Sequence, residues 1–182
     1  MLLPFAAPVR VRAAAALADA TRTALASSPY VYVSPLRSDG SESRCHGEVW
    51  FGWIDGAVVV NTSPDRWKAT AINRGLDRAR IWVGDFGRWK QTVGKSEAFR
   101  AGPSFDAHAE IADDAGLIDV LLEQYDVKYP AEIAKWRDKM KRGMVDGSRV
   151  LIRYRPLLAS SHPTAPIGNC PANHRRTSRK IA

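Results

Sequence analysis

Short apolar runs, rich in β-branched and aromatic residues, recur along the chain between turn residues. Runs of this length and composition predict strands. We predict six of them, at residues 30–34, 48–54, 57–62, 80–84, 105–111 and 148–154. Asp55-Gly56 separates the second run from the third, and this dipeptide favours the positive φ angles of a tight turn. These two runs therefore predict a β-hairpin.

Helical spacing of apolar residues, together with helix-starting residues, marks four further segments. We predict helices at residues 11–26, from Ser63 to near Gly75, from Asp113 or Asp114 onward, and from Pro130 to Gly143. Ser63-Pro64-Asp65 is typical of a helix start, because serine caps N–H groups, proline suits the first turn and aspartate suits the positive end of the dipole. The order of elements predicts a mainly β, α+β fold: an antiparallel barrel of six strands with peripheral helices.

The chain has 182 residues, a length that suits one folded domain. We expect an N-terminal extension and helix at residues 1–28, a barrel domain at 29–156 and a disordered basic tail at 157–182. The tail contains four basic residues and no acidic residue. Such a composition is typical of a solvated chain end.

The net charge of +8 lies mostly at the two ends of the chain. Residues 1–28 hold three arginines against one aspartate, and with the four basic residues of the tail this leaves two positive charges for the barrel domain. A nearly neutral domain is a poor footprint for nucleic acid, so nucleic-acid binding is not expected. No apolar run approaches the ~18–20 residues that span a bilayer. The first residues also lack the basic start of a secretory signal, and we expect a cytoplasmic protein without a membrane partner.

Several short motifs occur in a fixed order along the barrel domain. They are Tyr30-Val31-Tyr32-Val33, Asp39-Gly40, Glu48-Val49-Trp50-Phe51, Asp55-Gly56, Asn61-Thr62-Ser63-Pro64-Asp65-Arg66-Trp67-Lys68 and Arg74-Gly75. Together they resemble the pyridoxamine 5′-phosphate oxidase-related family over residues 28–156. The resemblance implies a split β-barrel of the FMN-binding type. It also implies a homodimer with a flavin cofactor at the interface and a small-molecule substrate.

In the family that the chain resembles, the cofactor phosphate lies where the third strand passes into a helix. The resemblance assigns this role to Thr62, Ser63, Arg66, Trp67 and Lys68. A helix start and basic side chains both suit a phosphate. The alternative is an ordinary N-cap followed by a solvated basic face, with Trp67 as a core residue.

The second predicted strand would pass along the isoalloxazine ring in such a fold. Backbone groups of Glu48, Val49 and Trp50 would then form hydrogen bonds with the ring edge. The alternative is that the tryptophans of this strand only fill the barrel. Tyr125 and Tyr129, in the late helical pair, are either a lid over the cleft or helix-packing residues.

The resemblance implies an FMN-dependent oxidoreductase that transfers a hydride to or from a small organic molecule. The alternatives are a deazaflavin-dependent reductase of the same fold and a non-enzymatic module that binds flavin or haem. No catalytic residue is identified. Arg44 and His46 form an Arg-x-His pair like the substrate-binding pair of true pyridoxamine phosphate oxidases, but here the pair precedes the second strand, so oxidation of vitamin B6 is not predicted.

Other types of site find little support in the sequence. His46-x-Glu48 and His108-x-Glu110 each place two ligand types on one strand face, but their spacing matches no metal motif, and no metal is expected. No Gly-x-Gly-x-x-Gly, Walker or Gly-x-Ser-x-Gly motif is present, which argues against the corresponding nucleotide and hydrolase sites.

Overall fold

Seven strands, all paired antiparallel, form one sheet in the computed structural model of the chain, which describes residues 17–86, 97–114 and 116–157. The strands are β1 (Val31–Pro35), β2 (Gly47–Val49), β3 (Gly52–Ile54), β4 (Ala57–Thr62), β5 (Arg78–Val83), β6 (Ser104–Ala112) and β7 (Val150–Pro156). Their order across the sheet is β2-β1-β5-β6-β7-β4-β3. The two edge strands, β2 and β3, are therefore consecutive segments of the chain.

Four α-helices accompany the sheet in the described part of the chain. They are α1 (Asp19–Ser27), α2 (Trp67–Asn73), α3 (Leu117–Lys128) and α4 (Pro130–Val145), with a short 3-10 helix at Ala98–Ala101. None of them combines the length and apolar character needed to cross a bilayer. The antiparallel α+β fold with peripheral helices is confirmed.

The expected number of strands was wrong, because the strand predicted at residues 48–54 is divided into β2 and β3. β2 pairs with β1, whereas β3 pairs with β4 on the opposite edge of the sheet. Trp50 and Phe51 connect the two halves. The predicted hairpin is confirmed: Asp55 and Gly56 have φ angles of 50° and 71° between β3 and β4.

Two apolar clusters stabilise the fold. The alternation of β5 illustrates the first, because Ala79, Ile81 and Val83 face the barrel interior and are buried. The second lies between the other face of the sheet and the helical pair, where Val59 and Leu151 pack with α3 and α4. Burial of apolar surface at ~25 cal/mol per Å² makes these clusters the main source of stability.

Three helix boundaries differ from those predicted. α2 begins at Trp67 rather than at Ser63, because the Ser63 carbonyl accepts a hydrogen bond from the Arg66 N–H (3.1 Å) and closes a separate turn first. α4 continues past Gly143 to Val145. α1 begins at Asp19, and the predicted helical residues 11–16 lie outside the described residues, as does nearly all of the predicted tail.

Candidate functional site

The start of α2 contacts the start of β2. A Cβ atom placed on Gly47 would lie 3.4 Å from Trp67 Cζ2 and 3.5 Å from Lys68 Nζ, which are ordinary contact distances. The ammonium group of Lys68 lies 4.5 Å from the centre of the Trp67 ring. Trp67 itself is half-buried and packs on the barrel cluster. Gly47, Trp67 and Lys68 therefore line one small region at the edge of the sheet.

The charged amine of Lys68 is largely removed from water, which disfavours its charged form. Desolvation, together with the smaller effect of the nearby charge of Arg66, lowers the pKa of its amine to about 8. Neither side chain forms an ion pair with a carboxylate in the described part of the chain. An anion bound here would face two cations and relieve their mutual repulsion.

A second group of charges shows the contrast, because its members neutralise one another. The buried carboxylate of Glu42 accepts a hydrogen bond from Trp82 Nε1 (3.0 Å) and pairs with Arg100. Arg80 forms two hydrogen bonds with the Asp106 carboxylate, at 2.8 and 3.2 Å, and these raise the pKa of its guanidinium. These charges already have partners within the chain.

Thr62 and Ser63 lie immediately before this region. Thr62 is buried at the end of β4, opposite Val150 of β7, and Ser63 is half-buried in the turn that follows. Ser63 makes no capping hydrogen bond to α2, so its predicted role as the N-cap is wrong. Both residues precede Arg66 and Lys68 by a few positions along the chain. Their predicted contact with a phosphate stays a prediction.

The side chains of β2 are occupied by contacts within the protein. The carboxylate of Glu48 accepts a hydrogen bond from the Tyr32 hydroxyl (3.1 Å), and burial raises the pKa of Tyr32 to about 12. Val49 packs on the barrel cluster. Among the described strands, β2 is at the edge of the sheet and pairs with β1 on one side. Any contact with a planar ligand edge would thus use backbone groups, as the sequence predicts.

Trp50 packs outside the barrel, on the helical side. Its ring stacks on Tyr129 with centres 4.4 Å apart and meets Tyr125 edge-on at 5.8 Å. Both tyrosines are buried, at 1% and 4% exposure, so the lid alternative is wrong. The alternative that the tryptophans of this strand fill the barrel is wrong for Trp50, which packs on the helical cluster. It is correct for Trp53, which packs on the barrel cluster.

Sequence reasoning missed three residues around this strand. Gly47 carries no side chain, and no motif in the sequence singles out Gln124 or Lys128. In the structure Gln124 binds the backbone of Trp53, and Lys128 lies 3.5 Å from the centre of the Phe51 ring. Gly47 is revealed by the packing of α2 on β2, and the other two by the packing of α3 on the divided strand.

The histidines of the described residues are engaged elsewhere. His46 packs on Phe99 with ring centres 4.7 Å apart, and burial lowers its pKa. His108 lies 3.1 Å from the Asp77 carboxylate. Across the described ranges, no three histidine, cysteine, aspartate or glutamate residues are grouped as a metal site would require.

Comparison with known proteins identifies the fold. No protein-family model and no curated protein matches the chain. Among solved structures it is similar to HutZ, the haem storage protein from Vibrio cholerae, with 13% identity and a TM-score of 0.51 over 76% of this chain and 89% of HutZ. It is also similar to a conserved hypothetical protein from Mycobacterium tuberculosis, with 17% identity and a TM-score of 0.51 over 81% of this chain and 86% of that one.

A third structure, an F420 reductase, aligns over 75% of this chain and 92% of its own at 16% identity, with a TM-score of 0.41. At these identities the likeness extends to the fold and no further. The chain has the split-barrel fold that the pyridoxamine 5′-phosphate oxidase-like proteins share, as its sequence motifs implied.

Proposed function

We propose that the chain binds a flavin through its phosphate, with Lys68 and Arg66 as the cationic groups and Thr62, Ser63 and Trp67 beside them. The observation that carries this proposal is the pair of cations without a carboxylate partner in the described part of the chain. A lysine that is costly to keep charged and lies near a second cation is typical of an anion site.

The side of β2 that faces away from β1 is the proposed place for the isoalloxazine ring. Gly47, at the start of β2, lies against Trp67 and Lys68, so the cations adjoin the strand. Backbone groups of Glu48, Val49 and Trp50 would bind the ring edge, which offers both donors and acceptors. Two of their side chains already have partners within the protein: the Glu48 carboxylate accepts a hydrogen bond from Tyr32, and the Trp50 ring stacks on Tyr129.

The proposed activity is that of an FMN-dependent oxidoreductase acting on a small organic molecule. The bound flavin would supply the hydride-transfer chemistry, and the protein would bind it, orient it and exclude water. A deazaflavin coenzyme has a longer anionic tail and would use the same cations. A homodimer with the cofactor at the interface and a cytoplasmic location complete the proposal.

Haem binding without catalysis is a second candidate. Its support is the structural likeness to HutZ, a haem storage protein. The carboxylates of haem are anions that Lys68 and Arg66 could also bind. Histidine is a common axial ligand of haem iron. The histidines in the described part of the chain are His46 and His108, and each already has a partner.

Titration with FMN tests the leading proposal. A complex with flavin should show absorbance bands near ~370 and ~450 nm, whereas haem should give one intense band near ~420 nm. Lys68→Ala should weaken FMN binding by about 1–3 kcal/mol, because a charge-assisted contact to phosphate is lost. Lys135→Ala removes an exposed lysine of α4 and serves as the matched control. Equal FMN affinity in the two variants would remove Lys68 from the site, and a chain that binds neither FMN nor a deazaflavin would refute the proposal.

A further inference from the structure

The divided strand depends on hydrogen bonds from outside the sheet. At the break, the Tyr125 hydroxyl donates to the Trp50 carbonyl (3.0 Å), and the Phe51 N–H donates to the Tyr129 hydroxyl (3.2 Å). Both rings lie in the buried cluster between the sheet and the helices. Because a buried backbone group without a partner is strongly disfavoured, these two hydroxyls stabilise the break at this position in the chain.

The same helical region also holds the chain on both sides of the break. The side-chain amide of Gln124 accepts from the Trp53 N–H (2.8 Å) and donates to the Trp53 carbonyl (2.9 Å), as a neighbouring strand would. The Tyr129 hydroxyl donates to the Pro29 carbonyl, just before β1. The junction of α3 and α4 thus contacts the segment before β1, the break and β3.

The geometry of β2 makes it sensitive to this junction. β2 has three residues, and each is paired with β1, at Val49↔Val31, Glu48↔Tyr32 and Gly47↔Val33. A ladder of three residue pairs fixes a strand weakly by itself. Where its last residue lies therefore depends on what holds the next residue, Trp50.

We infer that Tyr125 and Tyr129 are positioning residues for the cofactor strand. Their hydroxyls bind Trp50 and Phe51, the residues at which the chain leaves β1, and so fix the position of β2, along which the flavin ring would lie. Neither residue touches the ligand. The inference rests on the proposed function, and it extends that function to a part of the molecule remote from the phosphate cations.

Two ligands separate positioning from general stability. FMN carries both the phosphate and the ring, whereas glycerol 3-phosphate carries only the phosphate. Tyr125→Phe and Tyr129→Phe keep the packed rings and remove the hydroxyls. We expect each to raise the dissociation constant of FMN about five- to tenfold at a temperature well below unfolding, and to change that of glycerol 3-phosphate less than twofold.

The control is Tyr154→Phe, which removes a hydroxyl from a buried tyrosine of the barrel interior. It should leave both dissociation constants unchanged, whatever it does to the melting temperature. Gln124→Met keeps both hydroxyls and should also leave FMN binding within twofold. Tight FMN binding by both tyrosine variants would overturn the positioning role and leave the proposed function intact.

Two further outcomes would also overturn the inference. Equal losses for FMN and glycerol 3-phosphate would indicate general damage rather than positioning of the strand. A wild-type chain that binds neither ligand would overturn the proposed function together with the positioning role. Far-ultraviolet circular dichroism of each variant identifies any that fails to fold, and the two tyrosine variants are assessed separately.

Discussion

Larger side chains at Gly47 test whether the ligand lies beside this residue. A Cβ atom added to Gly47 would meet Trp67 and Lys68 at ordinary contact distance, so a methyl group fits and a larger side chain would extend past these contacts. We expect Gly47→Leu to weaken FMN binding at least tenfold, because the leucine would occupy the path between the cations and β2. Isothermal titration with FMN measures the effect.

Gly47→Ala is the matched control and should bind FMN within about twofold of the wild-type chain, because the added methyl group meets only ordinary contacts. Melting temperatures of both variants show whether the fold is retained. A leucine variant that folds and binds FMN normally would place the ligand elsewhere on the molecule.

Residue chemistry could be predicted from the sequence only in part. Arg66 and Lys68 stand out as basic residues beside a helix start, and the structure adds the decisive fact that no carboxylate within the described ranges neutralises them. The role of Ser63 as an N-cap was wrong because a turn precedes the helix. Pairing of charges between distant segments cannot be read from local sequence.

At the scale of elements, strand positions followed from apolar patterning, but the division of one strand did not. Residues 48–54 have a continuous strand composition, and nothing local marks Trp50 and Phe51 as the break. The break is stabilised by tyrosines about 75 residues later in the chain. Such tertiary hydrogen bonds override local propensity, which is why six strands were expected and seven are present.

The packing of α3 on β3 gives a prediction at this scale. A Cβ atom on Gly52 would lie 2.7 Å from Leu121 Cδ1 and 2.9 Å from Gln124 Oε1, closer than real contacts allow. We expect Gly52→Ala to lower the free energy of unfolding by about 1–3 kcal/mol, because the side chains of Gln124 and the fully buried Leu121 must shift to admit the methyl group. Urea unfolding followed by tryptophan fluorescence measures it.

Gly116→Ala provides the comparison, because the nearest atom to its added methyl group would be 3.6 Å away. It should change the free energy of unfolding by less than about 0.5 kcal/mol. Equal effects of the two substitutions would show that the close approach of α3 to β3 contributes little to stability.

At the scale of the whole molecule, two half-buried lysines couple stability to pH. Desolvation lowers the pKa of both Lys68 and Lys128 to about 8. Lys128 donates to the Ser28 and Leu25 carbonyls (3.4 and 3.5 Å) near the end of α1, far along the chain from the proposed site. In the unfolded chain both amines have an ordinary pKa near ~10.4. Between these values the unfolded chain binds more protons than the folded one.

The free energy of unfolding should therefore rise as the pH increases from about 8 toward 10, by at most about 3 kcal/mol for each lysine. Above about pH 10 the effect reverses, because burial raises the pKa of Tyr32 to about 12 and that of Tyr125 well above its ordinary value, so the unfolded chain loses those protons first. Urea unfolding from pH 7 to 11 should show a maximum near pH 10.

Lys68→Met separates the site from the rest of this pH dependence. The variant keeps an apolar side chain of similar length, so it should be more stable than the wild-type chain at pH 7 by about 1–3 kcal/mol and should show a smaller rise in the free energy of unfolding above pH 8.

FMN should reduce this rise in the wild-type chain, because a bound phosphate favours the charged amine of Lys68 and raises its pKa. FMN affinity should accordingly fall as the pH passes 8. If the variant is less stable at pH 7, the charge of Lys68 does not destabilise the folded chain. If the affinity for FMN is constant from pH 7 to 10, the Lys68 amine does not bind the FMN phosphate.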